Sequence, residues 1–143
     1  MATLRVEVVT PERALWSGTA TALMARSSEG EFTILPEHTS TVGDVVPEVL
    51  RVATEEGELR FAVHGGYFQV GPDDVEGVTR ATVLAGVAER TTDIDVPRAQ
   101  AAKERAEAEL AALTKGDPED HAAHLLAHAA LERAELRLRA AAN

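Results

Sequence analysis

The side chains in this sequence that are best suited to chemistry are histidines, because the chain contains no cysteine. His64 is followed by Gly65 and Gly66, and a His-Gly-Gly run occurs in the oxyanion loops of some hydrolases. No Gly-x-Ser-x-Gly nucleophile motif accompanies this run, so hydrolase chemistry is not expected. The glycine pair instead predicts a tight turn or a bulge between two strands.

Three further histidines, His121, His124 and His128, lie at helical spacing, which would place two imidazoles on one helix face for a metal ion. The first carboxylate after them is Glu132, so exposed or seam-edge histidines are favoured over a metal site. The sequence also lacks the Gly-rich phosphate loop and the dinucleotide-binding fingerprint. We therefore predict no catalytic constellation, no metal site and no enzymatic activity.

The charge of the chain restricts its partners. The net charge of −10 argues against nucleic acid, because a phosphate-binding surface requires clustered Lys and Arg. Residues 121–143 nevertheless contain three arginines and only two glutamates, which suggests an acidic partner for this end or simply a solvated helix face. No run of 18 apolar residues occurs, so no direct membrane insertion is expected. The absence of cysteine fits the cytosol, and the first residues do not form a signal peptide.

The composition changes near residue 88 and predicts two parts. Nine of the ten glycines and all five aromatic residues precede this point, whereas 16 of the 45 residues from Ala99 onward are alanine. We predict a mainly β N-terminal sandwich or barrel of antiparallel strands over residues 1–88 and a C-terminal α-helical hairpin over residues 89–143. The candidate strands alternate or carry β-branched residues: residues 4–8, 49–53, 59–63, 67–70, 75–79 and 81–87. Large core side chains are expected at Trp16, Phe32, Phe61 and Phe68.

The helical part shows two starting signals of the same kind. Asp95 is placed as an N-cap with Pro97 in the first turn, and Asp117 and Pro118 repeat the pattern for a second helix. The first helix is expected to run to about Leu113 and to end at residues 114–116. Two apolar stripes face each other in this hairpin: Ala99, Ala102, Ala106, Leu110 and Leu113, then Ala123, Ala127, Ala130, Ala134 and Leu138. Because these side chains are small, the hairpin is expected to be marginally stable and easily opened.

Four segments, in order, are similar to the epsilon subunit of bacterial rotary F-type ATP synthases. They are Val-Thr-Pro-Glu-Arg at residues 9–13, Gly-Glu-Phe-Thr-Ile-Leu-Pro-Glu-His-Thr at residues 30–39, Gly-Gly-Tyr-Phe-Gln-Val at residues 65–70, and the run from Val83 to Ala99. The hairpin extends the resemblance to essentially the whole chain. The sequence departs from the family at Thr33, Glu37 and His64, and in a long acidic connection between the helices.

The resemblance implies a non-catalytic subunit of the central stalk. Its β domain would contact the gamma subunit and the ring of c subunits, and would help to couple proton flow to ATP synthesis. Its hairpin would inhibit ATP hydrolysis when opened, by reaching the alpha and beta subunits through the C-terminal helices. The protein would be peripheral, on the cytoplasmic side of the cell membrane. The alternatives are a permanently folded hairpin, or a free-standing interaction module made of a β-sandwich and two helices.

The family also implies a regulatory ATP site, with no other cofactor required. In several members the motif Ile-Asp-x-x-Arg-Ala binds ATP and holds the hairpin folded. The corresponding residues here are Glu89, Ile94, Asp95, Arg98, Ala99, Arg105, Arg133 and Arg137. Asp95 or Glu89 would accept from the adenine amino group or the ribose, and the arginines would bind the phosphates. The competing interpretation is that Asp95 is a helix cap and the arginines are surface residues.

Candidate contact residues are placed on two loops of the β domain and at the end of the second helix. The loops are residues 34–39 and 65–68, since loops on a rigid sandwich commonly carry contacts. The candidates are His38, Gly65, Gly66, Phe68 and Arg139. The alternative is that Ile34, Leu35 and Phe68 belong to the core.

Overall fold

The computed structural model describes residues 2–113 and 117–142. The chain divides into two compact units, Met1–Arg90 and Thr91–Asn143, which we term the β unit and the helical unit. The predicted end of the first helix at residues 114–116 lies outside the described residues. None of the described helices is both long enough and apolar enough to cross a membrane.

The β unit contains ten strands among its described residues. They are β1 (Thr3–Val9), β2 (Ala14–Ala20), β3 (Ala22–Ser27), β4 (Gly30–Ile34), β5 (Thr41–Val45), β6 (Glu48–Thr54), β7 (Gly57–Val63), β8 (Gly66–Pro72), β9 (Val78–Ala85) and β10 (Ala88–Arg90). Sheet A has the strand order β2-β1-β9-β8-β5, and sheet B has the order β10-β7-β6-β3-β4. The predicted β-sandwich is therefore confirmed.

One strand pair differs from the expected antiparallel arrangement. β1 pairs in parallel with β9, with Val6 opposite Ala81, whereas β1 pairs with β2 in the antiparallel direction. Parallel neighbours need a long connection, and here that connection is most of the unit, because β1 is the first strand and β9 the ninth. The first strand is thereby held in the interior of sheet A, between β2 and β9.

The core lies between the two sheets. In β1 the inward positions Leu4, Val6 and Val8 are fully buried, as the alternating pattern predicts. Phe61 is also fully buried, and Phe68 stacks on Phe32 with ring centroids 4.5 Å apart. Trp16 and Phe32, both predicted as core residues, lie at the margin of the core and are only partly buried.

The strand predictions differ from the structure in two ways. The runs 75–79 and 81–87 were predicted as separate strands, but the structure has one strand, β9, that begins at Val78. Val75 lies in the preceding turn and is exposed, and the backbone of Gly77 has a φ of 81° there. β2, β3, β4, β5 and the three-residue β10 were also not among the predicted strands. In β2 to β5, glycines, serines and charged residues weaken the alternating pattern.

The helical unit contains the two predicted helices, α1 (Val96–Ala112) and α2 (His121–Ala141). A 3-10 turn, Thr91–Asp93, precedes α1 and contacts α2. Asp95 caps α1 as predicted. Asp117 instead caps a second 3-10 turn, Pro118–Asp120, and α2 begins directly after this turn, at His121. The two helices therefore do not start in the same way.

The seam between the helices is narrow, as the sequence predicts. The residues buried along it are alanines at seven-residue spacing, Ala99 and Ala106 on α1 and Ala127 and Ala134 on α2. Ala123, which was predicted to lie in the seam, is exposed in the first turn of α2. The burial of Leu136 and Ala140 on another side of α2 was not predicted.

Candidate nucleotide site and contact surfaces

The first turn of α1 contains the motif residues 94–99. One carboxylate oxygen of Asp95, Oδ1, accepts a hydrogen bond from the backbone N–H of Arg98 at 3.1 Å, which is ordinary N-cap geometry. Ile94 is half-buried, and its N–H donates to the carbonyl of Thr91 at 3.4 Å. Ala99 is buried, so it contributes to the seam, whereas the side chain of Arg98 is exposed. The cap uses only Oδ1 of Asp95, so the hydrogen bond to Arg98 does not occupy Oδ2.

The two α1 arginines of the candidate site lie beside the seam. Arg98 immediately precedes the buried Ala99, and Arg105 immediately precedes the buried Ala106. At about 100° per residue, both guanidinium groups lie on the same side of the seam and are separated by about two helical turns. Both arginines are exposed.

The two α2 arginines lie on one side of their own seam residues. Arg133 is one position before the buried Ala134 and Arg137 is three positions after it, so both lie on the same side, about 60–100° from it. Because α2 runs back along α1, this side of α2 coincides with the arginine side of α1. Four arginines of the candidate site thus lie along one side of the hairpin. Arg139, the candidate contact residue of α2, is exposed.

These arginines form a cationic strip that is suited to polyanions. Among the described residues, Arg98, Arg105 and Arg133 make no ion pair with a carboxylate. A guanidinium group that is not already paired is available for bidentate hydrogen bonds to phosphate oxygens. The strip therefore has the chemistry of a polyphosphate site, and whether a nucleotide binds it stays a prediction.

Glu89 belongs to β10 and hence to the β unit, whereas the other candidate nucleotide residues belong to the helical unit. Glu89 lies opposite Ala62 of β7, and its Oε1 is 3.8 Å from Nε2 of His64. The His64 side chain is only 7% exposed and that of Glu89 28%. His64, which departs from the family pattern, therefore lies close to the Glu89 carboxylate, a contact that the sequence did not predict.

The histidines of α2 form a ladder along the helix. The rings of His124 and His128 stack with centroids 6.4 Å apart, and Nε2 of His128 is 3.1 Å from Oε1 of Glu132. Within residues 2–113 and 117–142, no group of three or more His, Asp or Glu side chains is arranged to hold a metal ion. The ladder therefore fits side-chain contacts along a helix surface.

Two backbone N–H groups hold the loop that carries His38, one through a side chain and one through a carbonyl group. Glu37 has a φ of 72°, and its N–H donates to Oγ1 of the buried Thr79 at 2.8 Å. The N–H of His38 donates to the carbonyl of Leu35 at 3.1 Å, which closes a turn. His38 is exposed, and Leu35, which was considered a possible core residue, is 53% exposed. Both side chains are therefore available for contacts.

The second predicted contact loop lies elsewhere on sheet A. Gly65 and Gly66 have φ values of 99° and 155°, as the predicted tight turn requires, and a methyl group on Gly66 would lie 2.1 Å from the carbonyl oxygen of Leu84. Phe68 is only 7% exposed and packs in the core, so its side chain does not form an outer surface. Gly66 pairs with Ala85 at one end of β9, about 20 Å from the His38 loop at the other end. The structure therefore does not bring the two loops together.

An apolar strip between these loops was not predicted from the sequence. Tyr67 is 64% exposed and lies opposite Leu84, which is 48% exposed, on the outer face of sheet A. Val42 of the neighbouring strand β5 is 73% exposed and lies diagonal to Tyr67 on the same face. The pairing of β8 with β5 and β9 creates this strip, so only the register of the strands reveals it. We name Val42, Tyr67 and Leu84 the apolar strip.

Charged side chains lie farther along the same face. Arg80 of β9 donates from Nε to Oε1 of Glu7 at 2.9 Å and lies 3.7 Å from Asp73. The hydrogen bond and the charge of Glu7 raise the pKa of Arg80 above its ordinary value, and the charge of Asp73 adds to this effect. The outer face of sheet A thus combines an apolar area with a charged area, a composition that is typical of a protein contact surface.

Comparisons with known proteins agree over the whole chain. Residues 3–91 match the family described as ATP synthase, Delta/Epsilon chain, beta-sandwich domain, and residues 92–142 match the long alpha-helix domain of the same chain. A protein from Thermobifida fusca named ATP synthase epsilon chain is 43% identical over 141 residues, which cover 96% of this chain and 91% of that protein. One of the same name from Brevibacillus brevis is 44% identical over 111 residues, which cover 77% and 80% of the two chains.

A solved structure gives the same result. A chain in the cryo-EM structure of the Euglena gracilis mitochondrial ATP synthase, a structure of OSCP, F1 and the c-ring, superposes with a TM-score of 0.77 at 25% identity. The match covers 100% of this chain and 83% of that chain. The similarity therefore includes both the β unit and the helical unit.

Proposed function

This chain belongs to the ATP synthase delta/epsilon chain family, and on that premise we propose that it is the non-catalytic rotor subunit of a proton-translocating bacterial F-type ATP synthase. It attaches through the β unit and regulates ATP hydrolysis through the helical unit. Its place is the central stalk, on the cytoplasmic side of the cell membrane. The observation that carries the regulatory part is the narrow alanine seam, in which Ala99 and Ala106 of α1 and Ala127 and Ala134 of α2 are buried.

For the β unit we propose attachment through the outer face of sheet A. The apolar strip of Val42, Tyr67 and Leu84 exposes large apolar side chains on a rigid sheet, which favours a contact with another subunit. The gamma subunit is the proposed occupant of this face. The His38 loop, about 20 Å away along β9, is proposed to face the c-ring.

For the helical unit we propose a switch between a folded hairpin and an opened, inhibitory form. An alanine seam buries little apolar area, so few kcal/mol separate the two forms. In the opened form the 48 residues from 96 to 143 would reach about 70 Å as one helix, at 1.5 Å per residue. The arginines near the end of α2, including Arg139, would then contact acidic residues of the alpha and beta subunits.

We further propose that ATP stabilises the folded form. The cationic strip is built from both helices, with Arg98 and Arg105 on α1 and Arg133 and Arg137 on α2. A polyphosphate that bridges the helices would bind the folded hairpin better than the opened one. Such a difference in affinity is what a ligand needs in order to shift a conformational equilibrium.

Truncation tests the inhibitory role. An ATP synthase assembled with a chain that lacks residues 92–143 is expected to hydrolyse ATP faster than the complex with the full chain. The control is the amount of truncated chain that copurifies with the complex, since the β unit should still attach. Unchanged hydrolysis at full occupancy would refute the inhibitory role and would favour a permanently folded hairpin.

Calorimetric titration with MgATP tests the regulatory site. Arg98→Ala and Arg133→Ala should each weaken binding about tenfold or more, because a hydrogen bond to a charged group contributes about 1.5–3 kcal/mol. Alanine keeps the helix propensity high, so both helices should remain folded. Arg13→Ala, which removes an exposed arginine of the β unit, is the matched control. No binding at millimolar MgATP, or equal binding by all three variants, would reduce the motif to a helix cap.

A further inference from the structure

A cavity of about 490 Å³ opens at the margin of the β-sandwich, between the edge strand β2 and the turn that joins β6 to β7. Its apolar wall includes Trp16 and Leu59, which also pack against the core. A methyl group on Gly18 would lie 2.7 Å from the Trp16 ring, so the glycine allows the indole to lie close against β2. The volume falls within the range of about 300–1,000 Å³ that is usual for ligand pockets.

The rim of this cavity is acidic. Glu55 and Glu56 come from the β6–β7 turn and Glu58 from the start of β7, and all three line the cavity. Among the described residues, no lysine or arginine lines it. Glu58 is 3.8 Å from Nη1 of Arg51, whereas in the part of the chain that the structure describes no cation is paired with Glu55 or Glu56. An indole wall beside unpaired carboxylates has the chemistry that binds a guanidinium group, which stacks on aromatic faces and forms hydrogen bonds with carboxylates.

The strand beside the cavity is an unprotected sheet edge. Within the described residues β2 pairs only with β1, and Ala14–Ala20 contains neither a charged residue nor a proline. The other three sheet edges carry charges, namely Asp44 in β5, Glu31 in β4, and Glu89 and Arg90 in β10. Charges and prolines on an edge strand prevent pairing with other chains. Their absence from β2 leaves its backbone donors and acceptors available to an added strand.

We propose that β2 and the cavity form a docking site for an extended polypeptide of a partner protein. The segment pairs with the free edge of β2 and inserts one arginine side chain into the cavity. The aliphatic part of that arginine packs on Trp16 and Leu59, and its guanidinium group contacts Glu55 and Glu56. This site lies at the opposite edge of sheet A from β5, and it is independent of the nucleotide site proposed on the helices.

Tryptophan fluorescence monitors this site directly, because Trp16 is the only tryptophan in the sequence. The full chain is titrated with acetyl-Thr-Val-Arg-Val-Thr-amide while the Trp16 emission is recorded. A saturable change with a dissociation constant of the order of millimolar is expected, because exposed ion pairs and cation–π contacts are individually weak. Replacing the arginine by citrulline keeps the shape but removes the charge, and should weaken binding at least about fivefold. A peptide in which the backbone nitrogens of all five residues are methylated cannot donate from these residues to β2 and should lose a similar factor.

Matched variants locate the binding. Glu55→Gln combined with Glu56→Gln should weaken binding about tenfold and make it less sensitive to salt. Glu12→Gln combined with Glu76→Gln removes the same charge from exposed positions that do not line the cavity, and should change binding less than about twofold. Equal binding of the citrulline peptide, or equal effects of the two double variants, would overturn the proposal. Equal binding of the N-methylated peptide would exclude strand pairing, and emission that changes on dilution of the protein alone would indicate a second copy of this chain as the occupant.

Discussion

The substitution Ala134→Gly tests how weakly the hairpin is held together. Ala134 is only 1% exposed and lies in the interior of α2, on the seam. Glycine in a helix interior costs about 1 kcal/mol relative to alanine, and the lost burial of a methyl group costs about 0.8 kcal/mol more. The free energy of locally unfolding the helical unit should therefore fall by about 1.8 kcal/mol, and the unfolded population should rise about 20-fold. Only the burial part, about 0.8 kcal/mol or about fourfold, also favours the opened form, because the substituted position lies within a helix in both forms.

Amide hydrogen exchange of the full chain measures this change, because it reports local opening residue by residue. The amides of α1 and α2 should exchange about 20-fold faster, while the amides of the β unit serve as an internal reference. Ala108→Gly is the matched control, since Ala108 is exposed within α1 and should show only the propensity effect, about fivefold. Equal acceleration by the two substitutions would show that Ala134 contributes nothing to packing and would refute the seam as the switching element.

Two further substitutions test local geometry. Asp95→Ala removes the N-cap of α1 and should lower the free energy of locally unfolding α1 by about 1 kcal/mol in the same exchange experiment, whereas Asp93→Ala, at an exposed position outside the helix, should have little effect. If both aspartates behave alike, the cap is not what stabilises the first turn. Gly66→Ala forces a methyl group to within 2.1 Å of the carbonyl oxygen of Leu84 and should destabilise the β unit by about 2 kcal/mol or more, measured by urea unfolding. Gly86→Ala, with nothing within 4 Å of the added methyl, should be close to neutral, and a neutral Gly66→Ala would contradict the close approach.

The sequence by itself determined the elements whose cause is local. Asp95 and Pro97 set the start of α1, because a cap and a proline act on the first turn wherever the helix lies. The alternation of Leu4, Val6 and Val8 was sufficient to predict β1 and its buried face. The family resemblance likewise depends on short ordered segments of sequence. The two-part layout of strands followed by helices is predictable for the same reason, since composition reflects local preference.

Only the tertiary structure decided which residues share a surface. Nothing in the sequence associates Val42 with Leu84, because their proximity depends on β8 pairing with both β5 and β9. The same pairing separates the His38 loop from the turn at Gly66, although both are predictable as loops from sequence. The cavity beside Trp16 arises in the same way, from the packing of β2 against a turn about 40 residues later in the chain. Strand register and sheet packing are long-range choices, and no local pattern of residues encodes them.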